Sequence, residues 1–142
     1  VAADMQDIYI TVDKLNSKAC TEAVTYPGAG GIVVFVGTVR DQTKGKAVKH
    51  LEFEAYEPMA LKEMQKIADH ATDKWSLHKM VIHHRTGLVE IQEEAVVIAC
   101  SSAHRKEAFE ACQYAIDTLK ETVPIWKKEV FEDGEVWVSA HP

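Results

Sequence analysis

Lys120, Lys127 and Lys128 bracket Pro124 in the stretch LKETVPIWKKE, residues 119–129. Ammonium groups that converge bind anions, and a lysine that gives up its proton serves as general acid, general base or nucleophile. Arg40 stands at the end of GTVRD (37–41). Its planar fork suits phosphate or carboxylate. His104, Arg105 and Lys106 open a helical pattern that runs to residue 123. Cations at a helix start oppose the helix dipole, and a bound anion, phosphate above all, reverses that penalty. Each group also has an ordinary reading. Lysine suits the last turn of a helix and an edge strand without any ligand, and exposed cations bend into water. Spacing permits Lys120 and Lys127 to share a pocket across Pro124 but does not require it.

The elements that must position these residues follow from periodicity. IYITVDKL (8–15), LHKMVIHHRTG (77–87) and EAVVIACSS (94–102) read as strands. KACTEAV (18–24) reads as a short helical or irregular passage, and PGAGG (27–31) as a break. GIVVFVGTVRD (31–41) is apolar and β-branched, so a well-buried strand is expected. VKHLEFEAY (48–56) alternates, with Leu51, Phe53 and Ala55 on one face. The polar DQTKGKA (41–47) between them is expected to be a mobile loop, the three pieces making one long hairpin. Residues 57–75 repeat apolar side chains at steps of three and four from Leu61 to Trp75, with Pro58 in the first turn, which predicts an amphipathic helix. The second long helix is expected over 102–123, capped by Ser102, with Ala108, Cys112, Ala115, Ile116 and Leu119 as its core stripe. Residues 125–140 predict a hairpin turning at Asp133-Gly134, with Trp126 and Lys128 on one face and Lys127 and Glu129 on the other. Hairpins mixed with two main helices give an α+β class with mostly antiparallel strands. The whole chain, 1–142, is read as one domain. Residues 1–4, ahead of Met5, are read as a non-native or disordered extension.

Composition narrows the function. Sixteen Lys and Arg against 22 Asp and Glu leave a net charge of −6. Nucleic-acid and anionic-membrane surfaces are therefore not expected, and an anion site must be a local cluster. Three cysteines, Cys20, Cys100 and Cys112, with no CxxC spacing, argue against a disulfide framework or zinc site and for a cytoplasmic setting. Cys100 and Cys112 lie on apolar stripes and read as core. No apolar run reaches the ~20 residues of a membrane helix. PGAGG matches neither a dinucleotide fingerprint nor a P-loop, and adjacent strand residues His83 and His84 face opposite ways, so they are poor joint metal ligands.

Taken in order, GTVRD, FEAYEPMA (53–60), HRTGLVEI (84–91), SSAHR (101–105) and LKETVPIWKKE resemble the large, catalytic subunits of molybdopterin synthase, the MoaE family. The resemblance covers nearly all of the chain after about residue 8. It implies an α/β-hammerhead-type fold with additional strands. It implies a sulfurtransferase that converts cyclic pyranopterin monophosphate (precursor Z) into the molybdopterin dithiolene, a step of molybdenum cofactor biosynthesis. The sulfur comes from the C-terminal thiocarboxylate of a small ubiquitin-like subunit. The implied assembly is a homodimer carrying one small subunit at each end, a heterotetramer. No cofactor or metal is implied for this step. Carried over by position, Lys120 and Lys127 are the catalytic lysines. Thr38, Val39, Arg40, His104, Arg105, Lys128 and Glu129 are the binding residues, with His104 and Arg105 on the substrate phosphate and either protomer as their source. The competing reading is a non-catalytic module for a phosphorylated small ligand or a ubiquitin-like tail, which has no need of two lysines around Pro124.

Overall fold

The computed structural model describes residues 5–139. The extension at 1–4 and Ala140, expected to end the last strand, lie outside the described residues. The elements are β1 (Ile8–Thr11), α1 (Ser17–Val24), β2 (Gly31–Thr38), β3 (Gln42–Thr43), β4 (Lys46–Ala55), α2 (Glu57–Trp75), β5 (Lys79–Arg85), β6 (Gly87–Glu90), β7 (Glu94–Ser102), α3 (Arg105–Thr122), β8 (Ile125–Phe131) and β9 (Val136–Ser139). One sheet has the order β1-β5-β7-β2; the other runs β3-β4-β8-β9, with β6 also on β4. The β1–β5 pairing is parallel, and the other pairings are antiparallel. The α+β expectation holds.

The first sheet is covered on both faces. Met80, Ile82, Val96, Ile98 and Cys100 face the larger core, which includes Met64 and Ala68 of α2 and Ala115 and Leu119 of α3. Their neighbours Val81, Val97 and Ala99 face Cys20 and Val24 of α1. Burial on both faces is why β7 reads as an unbroken apolar run. Burial of that apolar area is the main stabilising term here, at roughly 25 cal/mol per Å². The equally apolar β2 was expected to be well buried, but it is the edge strand beside β7, and Ile32 is 40% exposed. Apolar composition does not separate a central strand from an edge that another surface can cover.

The long hairpin is also corrected. β2 pairs with β7 and β4 pairs with β8, so the chain changes sheets at Val39–Asp41. Residues 41–47 are not a loop. Gln42–Thr43 pairs with Lys46–Ala47 around Lys44 (φ 52°) and Gly45 (φ 79°). Two left-handed turn residues match the twist of a tight hairpin, and glycine adopts that conformation without steric cost. The passage at 18–24 is a helix, with the Asn16 side chain accepting from the Ala19 N–H at 3.0 Å. β6, which sequence pattern did not resolve, pairs Val89 with Leu51.

The second long helix starts later than expected. Ser102 belongs to β7, and its hydroxyl donates to the His104 carbonyl at 2.5 Å rather than capping the helix. His104 is the N-cap residue and makes no side-chain cap bond; Arg105 begins α3. PGAGG packs against this junction. The Gly30 N–H donates to the Ser102 and Ala103 carbonyls, and a Cβ on Gly30 would lie 2.3 Å from the Ala103 oxygen. Close packing explains the glycine there.

Candidate active site

A cavity of about 190 Å³ lies where the end of β2, the β4–β8 pair and the last turns of α3 meet. Its apolar wall includes Phe35, Leu51, Phe53, Val96 and Ile116. Its charged side chains are Arg40, Lys120, Lys127 and Glu129.

The corner at Pro124 builds this convergence. Lys120 stands in the last turn of α3, which ends at Val123 with that residue's N–H on the Leu119 carbonyl. The Pro124 carbonyl accepts from the Tyr56 N–H at 3.1 Å, tying the corner to the start of α2. Strand alternation then acts in β8. Ile125, Lys127 and Glu129 turn inward while Trp126 and Lys128 are exposed. Lys127 sits opposite Phe53 and Glu129 opposite Leu51 on β4, and all four line the cavity. Lys120 and Lys127 therefore face one space.

Arg40 follows β2 after a register break at Gly37/Thr38, and Thr38 lines the same cavity. Glu129 is buried, and its Oε2 accepts from the Thr43 hydroxyl at 2.6 Å. Thr43 comes from the small hairpin that composition alone had assigned to a loop. Its place in the wall is set by the Lys44-Gly45 turn.

The ion pairing of these cations decides what the cavity suits. Among the described residues, Arg40, Lys120 and Lys127 make neither an ion pair nor a side-chain hydrogen bond. Elsewhere the pattern differs: Lys46 pairs with Asp133 and Glu135, Arg85 with Glu93, and Lys128 with Glu52. Three cations facing one carboxylate in a partly enclosed space repel each other until an anion enters.

Four expected residues are not in this cavity. Val39 is 3% exposed and belongs to the core, its N–H on the Glu93 carbonyl. Lys128 lies on the opposite face of β8, 3.6 Å from Glu52. His104 and Arg105 are exposed at the far end of α3. Fifteen residues of helix rise separate Arg105 from Lys120, about 22 Å. One chain does not bring the two ends of α3 together.

His83 and His84 face opposite ways, as expected. His83 Nε2–H donates to the Gln6 carbonyl at 2.7 Å, and its Nδ1 is 3.5 Å from Cys20 Sγ. His84 lines the charged cavity and meets Phe53 edge to face at 5.2 Å. Sequence reading weighed this histidine only as a metal ligand and missed its place in the cavity wall. The three cysteines are free and buried, and burial pushes the Cys20 thiol up to about 11, with Glu94 adding to the shift. A thiol held protonated in this way, as Cys20 is, is a poor nucleophile.

The family model described as MoaE protein matches residues 10–122. The molybdopterin synthase catalytic subunit of Bacillus subtilis is 47% identical over 94% of this chain and 85% of its own length. The crystal structure of molybdopterin synthase from Staphylococcus aureus superposes with a TM-score of 0.91 at 42% identity, covering 96% of this chain and 99% of that one. A Helicobacter pylori complex of subunits 1 and 2 of molybdopterin-converting factor shares the fold, with a TM-score of 0.77 at 24% identity over 95% and 94% of the two chains.

Proposed function

The chain belongs to the MoaE family, and from that premise we propose that it is the catalytic subunit of a molybdopterin synthase, acting as one domain. It is an enzyme of molybdenum cofactor biosynthesis. Its substrate is cyclic pyranopterin monophosphate, and its sulfur donor is the thiocarboxylate tail of a small ubiquitin-like partner. The observation that carries this reading is the cavity whose three cations outnumber its one carboxylate and make no ion pair among the described residues. The thiocarboxylate and the cyclic phosphate are both anions and must be brought together, which a local cationic pocket on an acidic protein achieves.

In this reading Lys120 orients the thiocarboxylate and stabilises the acyl intermediate formed when its sulfur bonds to the substrate carbon. Lys127 protonates the oxygen that leaves that carbon, and water then cleaves the acyl–sulfur bond, which leaves the sulfur on the substrate and the partner's tail as a carboxylate. Arg40 clamps an anionic group, and Glu129, held by Thr43, fixes the depth to which the ligands enter. His104 and Arg105 reach the substrate phosphate from the second protomer of a homodimer, because α3 carries them away from the cavity of their own chain. Each protomer of that dimer carries one small subunit. Among the described residues no helix is long and apolar enough to cross a membrane, and we place the reaction in the cytoplasm.

The direct test mixes the protein with thiocarboxylated small subunit and precursor Z and assays molybdopterin. No product from correctly folded protein refutes the reading. Arg105→Ala should weaken pterin binding about tenfold by calorimetry, the loss expected for one charge-assisted hydrogen bond. Unchanged affinity argues against its phosphate role.

A further inference from the structure

We propose that His84 is a substrate-binding residue, its Nε2 accepting a hydrogen bond from a ring N–H of the pterin and so setting the orientation of the ring in the cavity. This rests on the function proposed above.

The imidazole is 0% exposed, yet it lines the cavity that holds Arg40, Lys120 and Lys127. Its Nδ1–H donates to the Arg85 carbonyl at 2.8 Å, which fixes the tautomer and leaves the lone pair on Nε2. Among the described residues, Nε2 has no hydrogen-bond partner. A buried polar atom without a partner is costly, and protein interiors rarely leave one. Here the residue lines a cavity, next to the space that a ligand would fill.

The surrounding chemistry selects the ligand group. Arg40, Lys120 and Lys127 are donors only, suited to the phosphate and the thiocarboxylate. A pterin ring also carries N–H groups, which those cations cannot satisfy. The acceptors among the charged and imidazole groups of the wall are Glu129, already engaged by Thr43, and His84. Burial holds the imidazole well below its usual range, at about 4, so it stays neutral and accepting at physiological pH. The ring is fixed from both sides, by the Arg85 carbonyl and by the edge-to-face contact with Phe53. A fixed neutral acceptor costs little ordering entropy when the ligand binds.

The test compares wild type, His84→Phe and His84→Gln. Phenylalanine keeps the ring volume without an acceptor, and glutamine returns a carbonyl oxygen near the Nε2 position. Calorimetry with precursor Z should show at least tenfold weaker binding for His84→Phe, with affinity in His84→Gln recovered to within about threefold of wild type. Binding by His84→Phe equal to wild type overturns the proposal. So does equal weakening in both variants, which would mark a purely structural role. Should His84→Phe fail to fold, the ¹⁵N resonance of His84 Nε2 in the wild type decides. It should shift on addition of precursor Z, and an unmoved resonance at saturating ligand overturns the proposal. A wild type that makes no molybdopterin removes the functional reading and this inference with it. A productive wild type matched by His84→Phe in affinity removes only the role of His84.

Discussion

Lys120→Ala abolishes molybdopterin formation, with a fall of about 10³-fold or more in turnover, while the fold and the dimer persist. Removing one group that stabilises developing charge in an enclosed site costs about 10²–10³ in rate, and losing general acid-base assistance costs a similar factor. The same truncation is mild for the fold. Lys120 is exposed in the last turn of α3 and makes no side-chain bond among the described residues. What the helix loses is a favourable cation at its C-terminus, about 0.3–1 kcal/mol. Activity and stability are thus expected to separate, and that separation distinguishes an active-site lysine from a surface one. Single-turnover assays with thiocarboxylated partner, alongside urea unfolding and a sizing column, make the comparison. Near-normal product formation from the folded variant removes Lys120 from the chemistry. Lys127 shares the cavity from β8, so Lys127→Ala is the natural companion measurement, and non-additivity in the double variant would report that the two lysines act on one intermediate.

What sequence made legible follows the physics of each signal. The helix at 57–75 was readable to its ends, because Pro58 fits the first turn and a stripe from Leu61 to Trp75 persists for about four turns. The alternation through Trp126, Lys127, Lys128 and Glu129 was readable because period two leaves only one other register. Pairing across sheets was not readable. Nothing local in residues 31–56 states that β2 bonds to β7 while β4 bonds to β8, since that choice is made by partners dozens of residues away. Thr43 and His84 were hidden for related reasons. Thr43 reaches the wall because Lys44 and Gly45 both turn left-handed, which a polar heptapeptide with one glycine does not announce. His84 is chemically distinct from His83 only through what packs on each face of β5, the Cys20 side or the Phe53 side. The basic start of α3 was read as an anion site with either protomer as its source, and the length of the helix sets it about 22 Å from Lys120 of the same chain.

Acid should destabilise this protein in the range where ordinary histidines charge, and His84 should be the main cause. Burial lowers its pKa in the native state to about 4, the bond to the Arg85 carbonyl opposing that shift only in part. The unfolded chain titrates near 6.5. Between those values the unfolded state binds the extra proton and the native state does not, so stability is full above about pH 6.5 and falls as pH drops toward 4. The loss by pH 4 is about 3 kcal/mol, a sizeable fraction of the ~5–15 kcal/mol that holds a typical domain. His83 is depressed as well, chiefly by burial, and adds to the same slope. Glu52 and Glu93 are lowered by their hydrogen bonds and act in the same direction, but at pH values below the usual carboxylate range. Urea midpoints measured from pH 7 to pH 4 should therefore decline in wild type and decline less in His84→Phe, whatever the variant's absolute stability. Parallel curves would mean that His84 does not carry the proton linkage. The imidazole that stays uncharged at the expense of acid stability is the same one that lines the cavity. A protonated His84 would add a further cation to Arg40, Lys120 and Lys127 and remove an acceptor, so the desolvation that weakens the fold in acid preserves the polarity of the site at neutral pH.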